Sequence, residues 1–209
     1  MPTATQVEHQ RRLLQKAGNL SRRQAEKLIA LILSRTAEFS EIRDLLKQGI
    51  PSIINSGAEG ASALAAQWYE SVYAESAAMP KPIGLDRIEG AVGWSMSAMF
   101  NQADIDRSML TLLEVVESMV IGQGKNTISA SGKANGRRFA RIPSGPSTCE
   151  WCMMLASRGY VYTSAESARL NGNGHDACLC SIVPEDNTTV SGYDPADLYK
   201  IWQEIRVYT

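Results

Sequence analysis

The stretch Met109-Leu-Thr-Leu112-Leu113-Glu-Val-Val116-Glu-Ser-Met-Val120 places apolar residues three or four positions apart. That spacing lines one face of an α-helix, and a face this apolar must be covered by other elements. The same pattern extends upstream through Ile88, Val92, Met96 and Met99, with a break expected between Asn101 and Asp106. An earlier run carries Ile54, Ala58, Ala61, Ala65, Trp68, Val72 and Met79, and Met79-Pro80-Lys81-Pro82 should end it. Its small residues suit close helix packing. Further back, Leu28, Leu31 and Ile32 fall on one side, followed by Phe39, Ile42, Leu45 and Leu46. Gly49 and Pro51 read as a stop and a restart. Thr5-x-x-Glu8 and Ser21-x-x-Gln24 both have the form of capping boxes, in which hydroxyl and acid or amide exchange hydrogen bonds with first-turn amides. Residues 1–121 are therefore expected to form a bundle of long helices, and the Met and Leu stripes read as its core.

Residues 122–147 differ in composition. Gly, Ser, Asn and Pro dominate, and no acid occurs between Glu117 and Glu150. Lys125, Lys133, Arg137, Arg138 and Arg141 are the only charges. The expectation is a basic linker whose cations contact DNA phosphates; the plainer readings are a solvated flexible linker, or a positive edge that pairs with acidic helices.

The remaining residues, 148–209, hold all four cysteines and one of the two histidines. Cys149-Glu-Trp-Cys152 and His175-Asp-Ala-Cys178-Leu-Cys180 supply five soft or borderline ligands in two short clusters. Two close pairs of N/S donors from separate turns match a tetrahedral zinc site. Cys149, Cys152 and Cys178 are the firmest ligands; His175 or Cys180 is the fourth, and the other lies beside the site. Around them, Gly159–Thr163 and Ser181–Pro184 read as short strands, and Thr163-x-x-Glu166 as a helix cap. Asn171-Gly-Asn-Gly174 reads as a turn. Asp194-Pro195 opens a final helix through Leu198, Ile201, Trp202 and Ile205. The fold class expected is mainly α, with a long-helix amino-terminal bundle and a small α+β zinc-ribbon-like carboxy-terminal module.

Composition narrows the function. A net charge of −1 gives no general affinity for nucleic acid or anionic lipid. No apolar run reaches the roughly 18 residues of a membrane span, and the first residues lack a signal-peptide core. A cytoplasmic site of synthesis follows as an expectation, where thiols stay reduced, which favours metal over disulfides. The His-x-Glu signature of a zinc deaminase, the His-Glu-x-x-His protease helix and Gly-x-Ser-x-Gly are all missing. Cys149-x-x-Cys152 lacks the βαβ setting of a redox motif. The protein is expected not to be an enzyme, with no catalytic residue assigned.

From Arg141 to Pro184 the chain resembles the carboxy-terminal module of MuF-like phage head morphogenesis proteins, also called minor capsid proteins. The carriers are Cys149-Glu-Trp-Cys152-Met-Met-Leu-Ala-Ser-Arg-Gly159, Val161-Tyr162, His175-x-x-Cys178-x-Cys180 and Val183-Pro184. The version in phages of actinobacteria is the most similar. The resemblance implies a virion component in the capsid interior or at the portal vertex, assembled in the host cytoplasm. Its implied partners are portal protein, major capsid protein and double-stranded DNA, with no membrane and no small-molecule substrate. The family cysteine and histidine positions fall on Cys149, Cys152, His175, Cys178 and Cys180, which implies a structural zinc. Larger relatives carry fused toxin or protease domains, for which this chain has no length. The alternatives are a metal-dependent hydrolase or processing factor in capsid maturation, needing a zinc with an open position, and a host zinc-ribbon regulator that binds DNA.

Overall fold

The computed structural model of the protein describes residues 2–143, 150–163, 167, 180–185 and 192–207. Among these, helices α1 (Ala4–Leu33), α2 (Phe39–Tyr73), α3 (Leu85–Ser95), α4 (Ser97–Gln102) and α5 (Ile105–Ala134) come first. Strand β1 (Phe139–Ile142), helix α6 (Glu150–Ala156), strand β2 (Ser181–Pro184) and helix α7 (Pro195–Val207) follow. The fold is mainly helical with one small sheet, as expected; a zinc-ribbon form is not seen among the described residues.

Several local signals act differently from their sequence reading. The capping box of α1 is Thr3-x-x-Gln6: Thr3 N–H donates to Gln6 Oε1 at 2.7 Å, and Gln6 N–H donates to Thr3 Oγ1 at 3.2 Å. Glu8, cast as the box acid, instead accepts from Arg11 and Arg12. Ser21 opens no helix and is buried midway along α1. Pro51 restarts nothing either; it lies inside α2. A proline there costs about 3 kcal/mol. Burial of Leu46, Ile50 and Ile54 on both sides of it carries the helix through. The break between α4 and α5 falls at Ala103 and Asp104, where expected, and Asp104 Oδ1 accepts from Arg107 N–H at 2.9 Å.

The chain divides into two compact units. The helical unit comprises Leu14–Ala61 and Lys81–Gln123. Its core joins Ile29 and Ile32 of α1, Leu46 and Ile54 of α2, Met96 and Met99 around α4, and Leu112 and Val116 of α5. Close approach requires Gly57: a Cβ there would sit 2.1 Å from Ser21 Oγ and 2.9 Å from Val120 Cγ2. Leu31, expected in the core, is exposed.

The mixed unit comprises Met1–Leu13, Ser62–Pro80 and Gly124–Thr209. Residues 122–134, read as linker, are the last turns of α5, and Phe139–Ile142 form β1. Their small residues pack instead of looping: Thr127, Ser129 and Ser131 are buried, and a Cβ on Gly132 would meet the Phe139 ring at 2.6 Å. β1 and β2 pair antiparallel, with Phe139 opposite Pro184 and Ile142 opposite Ser181. The other edge of β1 meets a single bridge to Tyr162, which is all that forms of the expected 159–163 strand. Asp194 caps α7 as expected, accepting from Ala196 N–H at 2.8 Å. Glu166 of the Thr163-x-x-Glu166 cap and the Asn171–Gly174 turn lie outside the described residues.

Both strands are buried along their whole length. Two strands alone expose too much surface to persist, so the pair depends on its cover. Ala140, Ile142 and Val183 pack with Val7 of α1, Ala156 of α6 and Tyr193, flanked by Tyr160 and Leu198. Alternation along β1 sends Phe139 and Arg141 to the opposite face.

Candidate metal-binding lobe

α6 carries Trp151 and Cys152 towards β1, and also packs on α7. The helix is only seven residues long, so its ends must be held from outside. Gly159, at φ 70°, reverses the chain in the left-handed region. Tyr162 Oη donates to Leu155 O at 2.7 Å, and Tyr193 Oη donates to Ala156 O. These hydroxyls supply donors to carbonyls of the last turn, and Ala156 O also accepts from Gly159 N–H at 3.2 Å. Burial pushes the phenols of Tyr193 and Tyr162 upward, because each would have to ionise away from water.

Arg141 projects from β1 into this lobe and is fully buried. Its guanidinium lies 4.9 Å from the centre of the Trp151 ring, a cation–π contact, and its Nη2 donates to Cys152 Sγ at 3.1 Å. Cys152 and Cys180 are exposed by only 2% and 3%, values too low for surface thiols. Cys152 lies on α6, and Cys180 immediately precedes β2, whose first residue pairs with Ile142. Cys149, His175 and Cys178 lie outside the described residues. Among the described residues no group of three or more His, Cys, Asp or Glu is assembled for a metal.

The five basic residues do not form one face. Lys133, in the last turn of α5, and Arg138 are exposed; Lys125 is half-buried. Arg137 turns inward. Its Nη2 and Nε reach the two carboxylate oxygens of Glu75 at 2.7 and 3.1 Å, a bidentate pair, and its plane covers Tyr73 at 4.7 Å. Its Nη1 also donates to Glu185 O. Tyr69 donates to Glu75 Oε2 at 2.9 Å, stacks on Tyr73 and accepts from Asn135 at 3.1 Å. Burial, then the Glu75 carboxylate, pushes the Tyr69 phenol up to about 12. Tyr73 Oη donates to Pro184 O at 2.9 Å. Arg137 is thus engaged by a carboxylate and an aromatic face, and the side chain of Arg141 is fully buried. Composition could not reveal this, because Glu75 lies 62 positions from Arg137.

Fold and lobe together define a mainly helical protein whose carboxy-terminal part is a small two-stranded lobe around buried cysteines and a buried arginine. The chain belongs to the VG15 protein family, whose model matches residues 1–205, and is thus a phage protein. The match runs through both units, well beyond the cysteine motif. No curated protein and no solved structure matches. No described helix is long and apolar enough to cross a membrane.

Proposed function

We propose that the protein is a non-enzymatic minor capsid protein of the MuF-like type, acting in head morphogenesis and held in shape by a structural zinc. The burial of Cys152 and Cys180 in the lobe of a phage protein carries this reading. Four of Cys149, Cys152, His175, Cys178 and Cys180 would hold the ion. Their donor set suits it, since thiolate and imidazole are the ligands zinc takes in closed structural sites. Zinc there would cross-link segments too short to make a core of their own, and supply no reaction. Its partners on this reading are portal or major capsid protein in the virion interior. Lys133 and Arg138 are the exposed cations left to face packaged double-stranded DNA.

Co-purification from infected cells is the deciding test. Tagged protein should bring down portal or major capsid protein, and protein purified under reducing conditions should hold one zinc per chain by elemental analysis. Recovery of neither capsid component would end the assembly role. A metal-free folded chain would end the zinc reading. Turnover that disappears on substitution of one cysteine in a still-folded protein would favour a processing enzyme instead.

A further inference from the structure

Cations gather on one outward strip of α1, within the helical unit. At about 100° per residue, Lys16, Leu20, Arg23, Lys27 and Leu31 fall within about 80° of arc along about 22 Å of helix. All five are exposed, Leu20 by 59% and Leu31 by 47%. The only acid between Leu14 and Leu33 is Glu26, which lies off the strip and pairs with Arg22 at 3.3 Å. Arg22 is held a second time by Glu117 of α5. Lys16, Arg23 and Lys27 have no ion-pair or hydrogen-bond partner among the described residues. Arg23 and Lys27 stand four apart, so like charges face each other across one turn, which weakens a helix. Two leucines left in water beside them add no burial. Folding alone selects neither feature.

Charge and shape together define what fits the strip. Unanswered positive charge is complementary to carboxylates or phosphates. A duplex backbone would leave Leu20 and Leu31 uncovered. Three cations are also few beside the roughly 6–10 phosphate contacts of a strong duplex binder, in a chain whose net charge is −1. A protein helix answers both features: its acids meet the cations, and its apolar side chains cover the leucines. The Lys and Arg stems on either side extend that apolar contact. Leu20 and Leu31 lie three turns apart on one straight face, so they offer two anchors to one partner helix. We propose that this strip of α1 is a docking surface for an acidic amphipathic helix of a partner protein. The inference goes beyond the zinc and capsid readings and requires neither.

The test puts the photo-reactive residue p-benzoyl-phenylalanine in place of Gln24, an exposed neighbour of Leu20 and Lys27 on α1, in the full chain in infected cells. Irradiation should cross-link it to a protein segment with carboxylates and apolar residues at helical spacing, identified by sequencing the joined peptide. The yield should fall by at least about tenfold in Arg23→Glu with Lys27→Glu, where like charges would now meet. It should fall by at least about fivefold in Leu20→Ser. Arg23→Lys with Lys27→Arg keeps both charges and should leave it unchanged. Cross-links to nucleic acid alone, or a yield that ignores Leu20→Ser, would make the strip a plain polyanion surface and overturn the proposal. A joined segment without acids, a yield unmoved by charge reversal, or no product at all also overturns it. Every substituted position faces water, so thermal melts should match wild type. If charge reversal unfolds the chain, Arg23→Gln with Lys27→Gln takes its place, and an undiminished yield there overturns the proposal.

Discussion

In the helical unit, Leu46, Ile50, Ile54, Ile88, Leu112 and Val116 are fully shielded from water, and they are simple hydrocarbon. In the lobe, the largest fully buried side chain is Arg141, and α6 is held by tyrosine hydroxyls, a thiol contact and a left-handed glycine. Long helices bury enough apolar area to stand on transfer free energy alone. A seven-residue helix and two four-residue strands do not, so specific polar contacts must fix them. The former arrangement tolerates approximate shapes; the latter fails when one partner is lost.

The sharpest way to break that contrast is to strip the proposed metal. Chelation should release roughly 10 kcal/mol of binding energy from the lobe. Hydrogen exchange should then show β1 and β2 amides losing protection while those around Ile54 and Leu112 keep theirs. Equal protection with and without verified zinc would mean the lobe stands on packing. Next in size, Ile54→Ala should cost about 2–5 kcal/mol, read as a lower urea midpoint with unchanged cooperativity.

The Glu75–Arg137 pair tests whether polar contacts elsewhere in the mixed unit matter as much. Glu75→Gln keeps the shape but removes the charge, and should destabilise by about 1–3 kcal/mol in thermal melts. A change below the noise would class it with ordinary surface pairs. Tyr69 gives a pH signature of the same network. Its folded value of about 12 exceeds the ordinary 10.0, so its contribution is complete below pH 10.0 and is lost as pH rises towards 12. The alkaline fall should amount to at most about 3 kcal/mol, and Tyr69→Phe should flatten it. The smallest effect on stability, under about 0.5 kcal/mol, is expected from Lys133→Ala with Arg138→Ala. If they face DNA, the pair should nevertheless lower the salt slope of duplex binding by about 2.

The helices were legible because periodicity is local. Ile88, Val92, Met96, Met99, Leu112 and Val116 were all read as core from spacing, and all are buried. The Asp194 cap was legible for the same reason, since its donors lie two and three residues away. Punctuation was less dependable. Gly and Ser between 122 and 134 look like loop chemistry, yet at a crowded helix face they are the residues that fit. Pro51 looks like a restart, yet burial on either side outweighs one lost hydrogen bond. In the candidate lobe, the cysteines at 152 and 180 stood out by type and spacing, and both are buried. The inward turn of Arg137 and Arg141 did not stand out.

Residue order alone thus settled which segments are helical, where the last helix starts and which side chains could act as soft ligands, because each depends on neighbours within a turn or two. The third dimension settled which cations meet water and which are enclosed. That choice turns on partners such as Glu75 for Arg137, brought in from another part of the chain. A charge is stable in the interior only if folding delivers the group that answers it.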